Sequence, residues 1–350
     1  MQYSNANQLR FSEDMKGGHY ESYFLRANHP TKKQALWLRY TFFKPADSSE
    51  PALAELWGAY FDNDAVIAIQ QDILLAECDF YNNTKSTNRI QIADSHLEFA
   101  LNGTGQVAGS VSDAVNHMSW NLQYTGNNPV LTTFPEKYYS RSFPKAKVVV
   151  GLPNAIFKGY ITLNGQPIDI DNWQGSENHN WGSKHTDQYA WGQVCGFDNM
   201  PDSFLECSTA RVKIGPMYSP WLSLAVLRIG KQEFRFNGLW EAVKNPGTYQ
   251  FFNWQMQCKH KDLTLSVFMH TDKNDVAGLN YRNPPGGSHT CLNSKVARCD
   301  VVLSKGNQVL HKLHSQFGGA FEILTDDDSH GVTVQNLVNK GVMSQTPKSA

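Results

Sequence analysis

Residues 176–197, SENHNWGSKHTDQYAWGQVCGF, crowd Glu177, His179, Trp181, His185, Tyr189, Trp191 and Gln193 into one short run. A carboxylic acid enclosed by indoles and phenols is desolvated, so its pKa rises and it can hold a proton near neutral pH. The faces of the same indoles stabilise a carbocation through their negative quadrupole. Together these groups suit protonation of a carbon–carbon double bond. Two other readings use the same residues. Glu177, His179 and His185 are borderline ligands for zinc or iron, although their spacing forms no closed ligand set. The cluster could also cap and fill the end of a barrel.

Strand parity sorts the run. If Tyr189–Phe197 is extended, Tyr189, Trp191, Gln193, Cys195 and Phe197 share one face, while Ala190, Gly192, Val194 and Gly196 share the other. The expected arrangement turns the large face to a barrel cavity and the small face to a neighbouring sheet. Upstream, Glu177, His179 and Trp181 share a parity before the turn at Gly182. Nucleophile-elbow, HExxH, Walker and dinucleotide fingerprints are absent from the sequence. Nothing near Cys195 would depress its thiol pKa, so it reads as a structural thiol.

The elements that must carry these residues follow a period of two along most of the chain. HYESYFLRA (19–27), ALWLRYTFF (35–43), NRIQIADSHLEF (88–99) and HMSWNLQYTG (117–126) read as strands, and Asn164-Gly165 in ITLNGQPIDI marks a hairpin. PALAELWGAYFD (51–62) reads equally as a short helix or a strand. With no βαβ rhythm and no phosphate loop, the chain is expected to be all-β and antiparallel, built from barrels or sandwiches with few short helices. Trp120-Asn-Leu-Gln-Tyr124 echoes Trp254-Gln-Met-Gln-Cys258, which suggests two related halves. Turn formers concentrate near 150–172. The expected organisation is an N-terminal extension (1–16), a first β domain (17–165), a second (166–340) and a disordered tail (341–350).

Composition narrows the partners. Charged residues make up 18% of the 350 and the formal net charge is −1, so no basic face for nucleic acid is expected. Nine Trp, 14 Tyr and 19 Phe instead favour an aromatic-lined interior and an apolar small-molecule partner. The N-terminus lacks the pattern of a signal peptide and no stretch reaches the roughly 20 apolar residues of a membrane helix. A cytoplasmic location with no integral membrane segment is the expectation, and the six cysteines, with no CxxC pair, are expected to be reduced. No cofactor and no metal are expected, and the oligomeric state is left open.

The run Glu177-Asn178-His179-Asn180-Trp181-Gly182, followed by Tyr189-Ala190-Trp191-Gly192-Gln193, resembles a signature of the lipocalin-like proteins that include carotenoid 1,2-hydratase, AttH-type proteins and tocopherol cyclase. Glu21-Ser22-Tyr23-Phe24 before Arg26, and NYRNPPGG with Cys291-Leu-Asn-Ser294, are similar to this group as well. The resemblance spans residues 17–315 and implies two consecutive lipocalin-like antiparallel β-barrel domains. It also implies a cofactor-independent hydratase or cyclase that protonates a double bond of an apolar polyene- or terpenoid-like substrate, after which water or a phenol captures the cation. Related folds host pericyclic cyclisations of the Diels–Alder type, and other members bind lipids or hydrophobic ligands without turnover.

On the leading reading Glu177 donates the proton, His179 or His185 orients it, and Tyr189 is a second donor or relay. Trp181 and Trp191 shape the substrate, and Gln193 holds the capturing water or hydroxyl. Glu21 is a second acid candidate that Arg26 could pair with, against the plainer reading of a surface carboxylate on strand 19–27. Trp240-Glu241 is a further aromatic–acid pair, against the reading of an exposed strand end.

Overall fold

The computed structural model describes residues 1–335 apart from 13, 48–49, 83–86 and 101–102, so the expected tail at 341–350 lies outside the described residues. The chain is all-β, with two large antiparallel sheets. The first holds β1 (His19–Asn28), β2 (Gln34–Lys44), β3 (Leu53–Asp62), β4 (Ala65–Leu74), β5 (Cys78–Asn82), β6 (Thr87–Ile92), β7 (Ser95–Ala100), β8 (Thr104–Ser112), β9 (His117–Thr125), β10 (Leu131–Thr132), β11 (Ala146–Leu163) and β12 (Gln166–Gly182). Its order is β4-β3-β2-β1-β12-β11-β9-β8-β7-β6-β5, with β10 on β11. A two-stranded ribbon, β15 (Lys213–Ile214) with β16 (Met217–Tyr218), follows β13 (Gln188–Phe197) and β14 (Met200–Arg211). The second sheet is formed by β13, β14, β17 (Leu222–Ile229), β18 (Gln232–Phe236), β19 (Gly247–Gln250), β20 (Asn253–His260), β21 (Leu263–His270), β22 (Ala277–Arg282), β23 (Ser288–Lys305) and β24 (Gln308–Thr325). Helices are short, α1 (Tyr3–Ala6) and α2 (Leu239–Ala242).

Each sheet curls around its own apolar core. In the first, β4 packs back against β8, and Leu36, Leu38, Tyr40, Leu56, Phe99, Trp120, Tyr124, Phe157 and Trp173 fill the interior. In the second, β17 and β18 face β20 around Leu205, Leu227, Trp254, Met256 and Phe321. A third apolar layer, with Phe24, Trp37, Trp57, Trp191, Leu279 and Tyr281, lies between the sheets. Residues of alternate parity on β1 and β2 therefore serve different cores, which is why both strands are buried on both faces.

Several local expectations resolve in physical terms. PALAELWGAYFD is a strand, because Trp57, Ala59 and Phe61 enter the inter-sheet layer while Leu56 and Tyr60 enter the first core. NRIQIADSHLEF is two strands, since Ala93 adopts φ 49° and reverses the chain. Asn164 and Gly165, with φ 51° and 81°, make the two-residue hairpin turn that joins β11 to β12. The 165/166 division drawn from the sequence thus falls in a hairpin whose two strands both belong to the first sheet. Turn chemistry marks a reversal of the chain, and here the reversal is internal to a sheet; the second sheet starts at Gln188.

Candidate functional site

β1 and β12 pair antiparallel along the wall that separates the first interior from the inter-sheet layer. Their register sets Tyr23 opposite His179, Glu21 opposite Trp181 and Leu25 opposite Glu177. These side chains face the interior of the first barrel, while Ser22, Phe24, Arg26, Ser176 and Asn178 face the second sheet. The strands approach closely at Gly175, where an added Cβ would lie 1.8 Å from the Arg26 carbonyl oxygen.

On the interior face the N-terminal segment closes the mouth of the barrel over two fully buried carboxyl groups. Tyr124 donates to Glu177 Oε2, and Asn7 Nδ2 donates to Glu177 Oε1. The Asn7 carbonyl accepts from Tyr23 OH at 3.2 Å, and the same hydroxyl lies 3.1 Å from Glu21 Oε1. Glu21 in turn contacts His179 Nε2 at 2.8 Å and His19 Nε2 at 3.4 Å, and it accepts from the Arg10 backbone N–H at 2.9 Å. Tyr124, Glu177, Asn7, Tyr23, Glu21 and His179 thus lie in sequence, with the single Tyr23 hydroxyl proton serving either Asn7 or Glu21. Tyr23 and His179 stack at 4.0 Å, and the Arg10 guanidinium lies 3.7 Å above the Trp181 ring.

Protonation follows from these contacts. Burial alone would raise the Glu21 pKa, but the hydrogen bonds from His179 and His19, the His179 charge and the Arg10 N–H outweigh it and bring the carboxyl down to about 2. Burial lowers the His179 pKa, opposed by Glu21. His179 Nδ1 lies 2.6 Å from the Ala6 carbonyl and 3.4 Å from the Arg10 guanidinium. Nε2 faces the Glu21 carboxylate at 2.8 Å, which places an Nε2–H between the two groups. The pair therefore shares a proton in a buried interior, with Tyr23, its own pKa raised by burial and by Glu21, stacked on the imidazole.

The opposite face carries a second polar cluster between the sheets. Gln193 Nε2 donates to Asn178 Oδ1 at 2.7 Å and to Glu206 Oε2 at 2.9 Å, while Gln193 Oε1 accepts from Ser176 at 2.7 Å. Trp191 Nε1 donates to Glu206 Oε1 at 2.8 Å. Arg26 bridges the sheets through the carbonyls of Gln193 and Gly318 at 2.9 and 2.7 Å. Lys295 and Asn293 hold Glu322 at 2.7 and 3.0 Å, and Tyr189 OH lies 3.4 Å from its other oxygen. Burial raises the Glu206 carboxyl to about 7 despite the Trp191 and Gln193 donors. Burial also lowers Lys295, against the pull of Glu322.

The residues named from the sequence therefore divide into three places. Glu21, Glu177, His179 and Trp181 meet in the first interior; Arg26, Tyr189, Trp191 and Gln193 meet between the sheets. Glu21 is fully buried rather than a surface carboxylate, and Arg26 pairs with carbonyls on the far face instead of with Glu21. His185 lies on the inter-sheet side too, across the wall from Glu177, stacked on Tyr20 at 3.8 Å and 5.9 Å from Tyr281, its pKa pushed well down by burial. Trp240 is 89% exposed on α2, away from both clusters. The large face of β13 meets the first sheet rather than a cavity, because Gly192 is needed inside the second barrel: an added Cβ would lie 2.3 Å from Met269 Sδ. Phe197 leaves that face at a bulge, where Gly196 has φ 75°, and joins the second core.

Asn7, Arg10, Tyr23, Tyr124, Glu206, Lys295 and Glu322 complete these clusters and were not singled out from the sequence. Of these, Glu206 carries a readable signal, because it is the one charged residue in the apolar run Phe204-Leu205-Glu206-Cys207. The possible His–Glu metal set is not assembled, since His185 lies across the wall and both His179 nitrogens face oxygen acceptors. Among the described residues Asp64, Asp272 and Asp275 converge, and Lys33 Nζ already sits among them, 2.7 Å from Asp275. Cys195, Cys207, Cys258, Cys291 and Cys299 are buried free thiols, and no described helix is long and apolar enough to cross a membrane.

Comparison with known proteins adds the family. An uncharacterised protein of Mycobacterium tuberculosis, matched in two strains, is 25% identical over 230 residues, which are 63% of this chain and 66% of that protein. The fold aligns with a Nitrosomonas europaea protein assigned to AttH at a TM-score of 0.56 and 13% identity, covering 90% of this chain and 94% of that one. It aligns with kievitone hydratase from Nectria haematococca at a TM-score of 0.54 and 10% identity, covering 89% of each. The tocopherol cyclase-like family model matches residues 116–323, which carry β9–β23 and most of β24. With more than half of its length matched, the chain belongs to the tocopherol cyclase-like family.

Proposed function

We propose that the protein is a cofactor-independent hydratase or cyclase that protonates a double bond of an apolar, polyene- or terpenoid-like substrate inside the first barrel. The observation that carries this reading is the Glu21–His179 pair, buried against Tyr23 and joined through Asn7 to Glu177 and Tyr124. With His179 as imidazolium, its Nε2 proton passes from the pair to an alkene carbon, leaving a cation on the neighbouring carbon. The aromatic faces of Trp181 and Phe99 and the negative charge left on the pair stabilise that cation. Water, or a hydroxyl of the substrate, adds to the cation and returns one proton to the chain. The names of the family and of the solved hydratase fit this chemistry. Because Glu21, Glu177 and His179 are sealed beneath Ala6, Asn7 and Arg10, the N-terminal segment must swing aside for substrate to enter.

A second reading makes Glu206 the acid, and its pKa near 7 favours it. Incubation with a panel of polyenes and prenylated phenols in D2O, read by mass spectrometry, separates the two. In the first-barrel reading product carries one carbon-bound deuterium, and Glu21→Gln lowers the rate by about 10²–10⁴-fold, the usual contribution of a general acid, while Glu206→Gln stays within about tenfold. Loss with Glu206→Gln alone overturns this assignment in favour of the inter-sheet acid. Product without deuterium, formed equally by both variants, would instead mean a pericyclic reaction, and ligand retention without turnover a binding protein.

A further inference from the structure

The second sheet carries a cleft that neither polar cluster touches. At one end of that sheet, Gln188 opens β13, Arg211 closes β14, Trp221 precedes β17 and Thr325 closes β24. With the turn Tyr249–Phe251 they line an open cleft of about 490 Å³, within the usual range for small-molecule sites. Trp221 and Tyr249 meet edge to face at 5.6 Å and 86°, which gives the cleft an aromatic corner.

Arg211 stands in this cleft with its charge held in place. Its guanidinium lies 4.5 Å from the Trp221 ring and 4.3 Å from the Tyr218 ring, and its Nε donates to Gln188 Oε1 at 2.7 Å. Neither Nη has a hydrogen-bond partner among the described residues. Arg26, Arg282 and Lys295, by contrast, are spent on internal acceptors: Arg26 on carbonyls, Arg282 on Glu55 and Asp72, Lys295 on Glu322. A guanidinium clamped by two rings and one amide has lost its rotamer freedom before any ligand arrives, and its two Nη groups form the fork that matches a carboxylate. Asp327 lies on the rim, fully exposed, its carboxylate accepting from the Ser329 N–H at 2.9 Å, so water screens its charge.

We infer that this cleft is a second small-molecule site, specific for a planar aryl carboxylate. The carboxylate takes the two Nη donors of Arg211, and the ring lies in the corner of Trp221 and Tyr249. The site is independent of the first-barrel chemistry and stands whether or not that reading holds.

Calorimetric titration of the full chain with 4-hydroxycinnamate, and with its neutral amide as the matched control, tests the assignment. The acid is expected to bind one site saturably and the amide at least about tenfold more weakly, as loss of a charge-assisted bidentate contact requires. Arg211→Gln removes that preference by weakening the acid alone. Arg211→Lys, which keeps the charge but not the fork, falls between, and Asp327→Asn binds the acid equally or more tightly. Thermal melts of the variants establish that they are folded. Absence of saturable binding of the acid to the unaltered protein, equal affinity for acid and amide, or an Arg211→Gln variant that binds the acid as tightly as the parent overturns the proposal.

Discussion

Glu21 and Glu206 are both fully buried carboxyls on strands, yet one is held down at about 2 and the other pushed up to about 7. The difference lies in the donors. Glu21 has an imidazole on each side and a backbone N–H, whereas Glu206 has an indole N–H and an amide, with Arg26 as the cation that acts on it. Burial costs both groups alike, so the partner decides the charge state. A single wall separates the two environments. A motif contiguous in sequence, Glu177 to Gln193, is thereby dealt to two places: Glu177, His179 and Trp181 to the interior of the first sheet, and Tyr189, Trp191 and Gln193 to a contact between sheets.

The largest effect should come from breaking the inter-sheet face. Arg26→Met strands the carbonyls of Gln193 and Gly318 and removes the cation near Glu206. Removal of one partner from a buried charge network typically costs about 3–5 kcal/mol. Urea unfolding should register that loss, while the Glu21–His179 pair on the other side of the wall is left in place. A loss below about 1 kcal/mol would mean that the two sheets do not depend on this bridge.

The two acids should give opposite pH dependences. Glu21 is depressed in the folded state, so its contribution is present above the ordinary carboxyl pKa near 4.5 and is lost as pH falls through about 2, roughly 3 kcal/mol in all. Glu206 is raised, so its contribution is present below about 4.5 and is lost as pH rises through about 7, by a similar roughly 3 kcal/mol. Denaturation curves across pH 3–8 for Glu21→Gln and Glu206→Gln should flatten the acid and the neutral limb respectively. If both variants flatten the same limb, the contrast between the two faces is wrong. The smallest effect belongs to Trp240→Ala: an exposed ring on a short helix should change stability by less than about 0.5 kcal/mol and leave turnover unchanged.

Period-two patterning made the all-β architecture and most strand positions legible, because half-buried and doubly buried strands both leave apolar residues at alternate positions. It also placed Glu177, His179 and Trp181 on one face. What it could not supply was which side of the wall each face served. On β1 and on the second half of β12, from Trp173 to Gly182, both faces are buried, so alternation separates two interiors without labelling them. The β13 face was assigned to a cavity although it packs on the first sheet, since bulk alone does not distinguish a ligand from a neighbouring strand. Asn7 and Arg10 were illegible for another reason: the segment before β1 has little periodicity, and its role over Glu177 and Glu21 arises only when the chain folds back on the barrel mouth.

The central claim is that Glu21 and His179 hold a proton between them. Proton and nitrogen NMR of protein labelled with ¹⁵N-histidine, with the His179 signals assigned through the Glu21→Gln variant, reads it directly. The account predicts a strongly downfield proton bridging His179 Nε2 and Glu21 at pH 7, absent from Glu21→Gln. An Nε2 shift of an ordinary neutral acceptor, with no bridging proton and no change in Glu21→Gln, would contradict it.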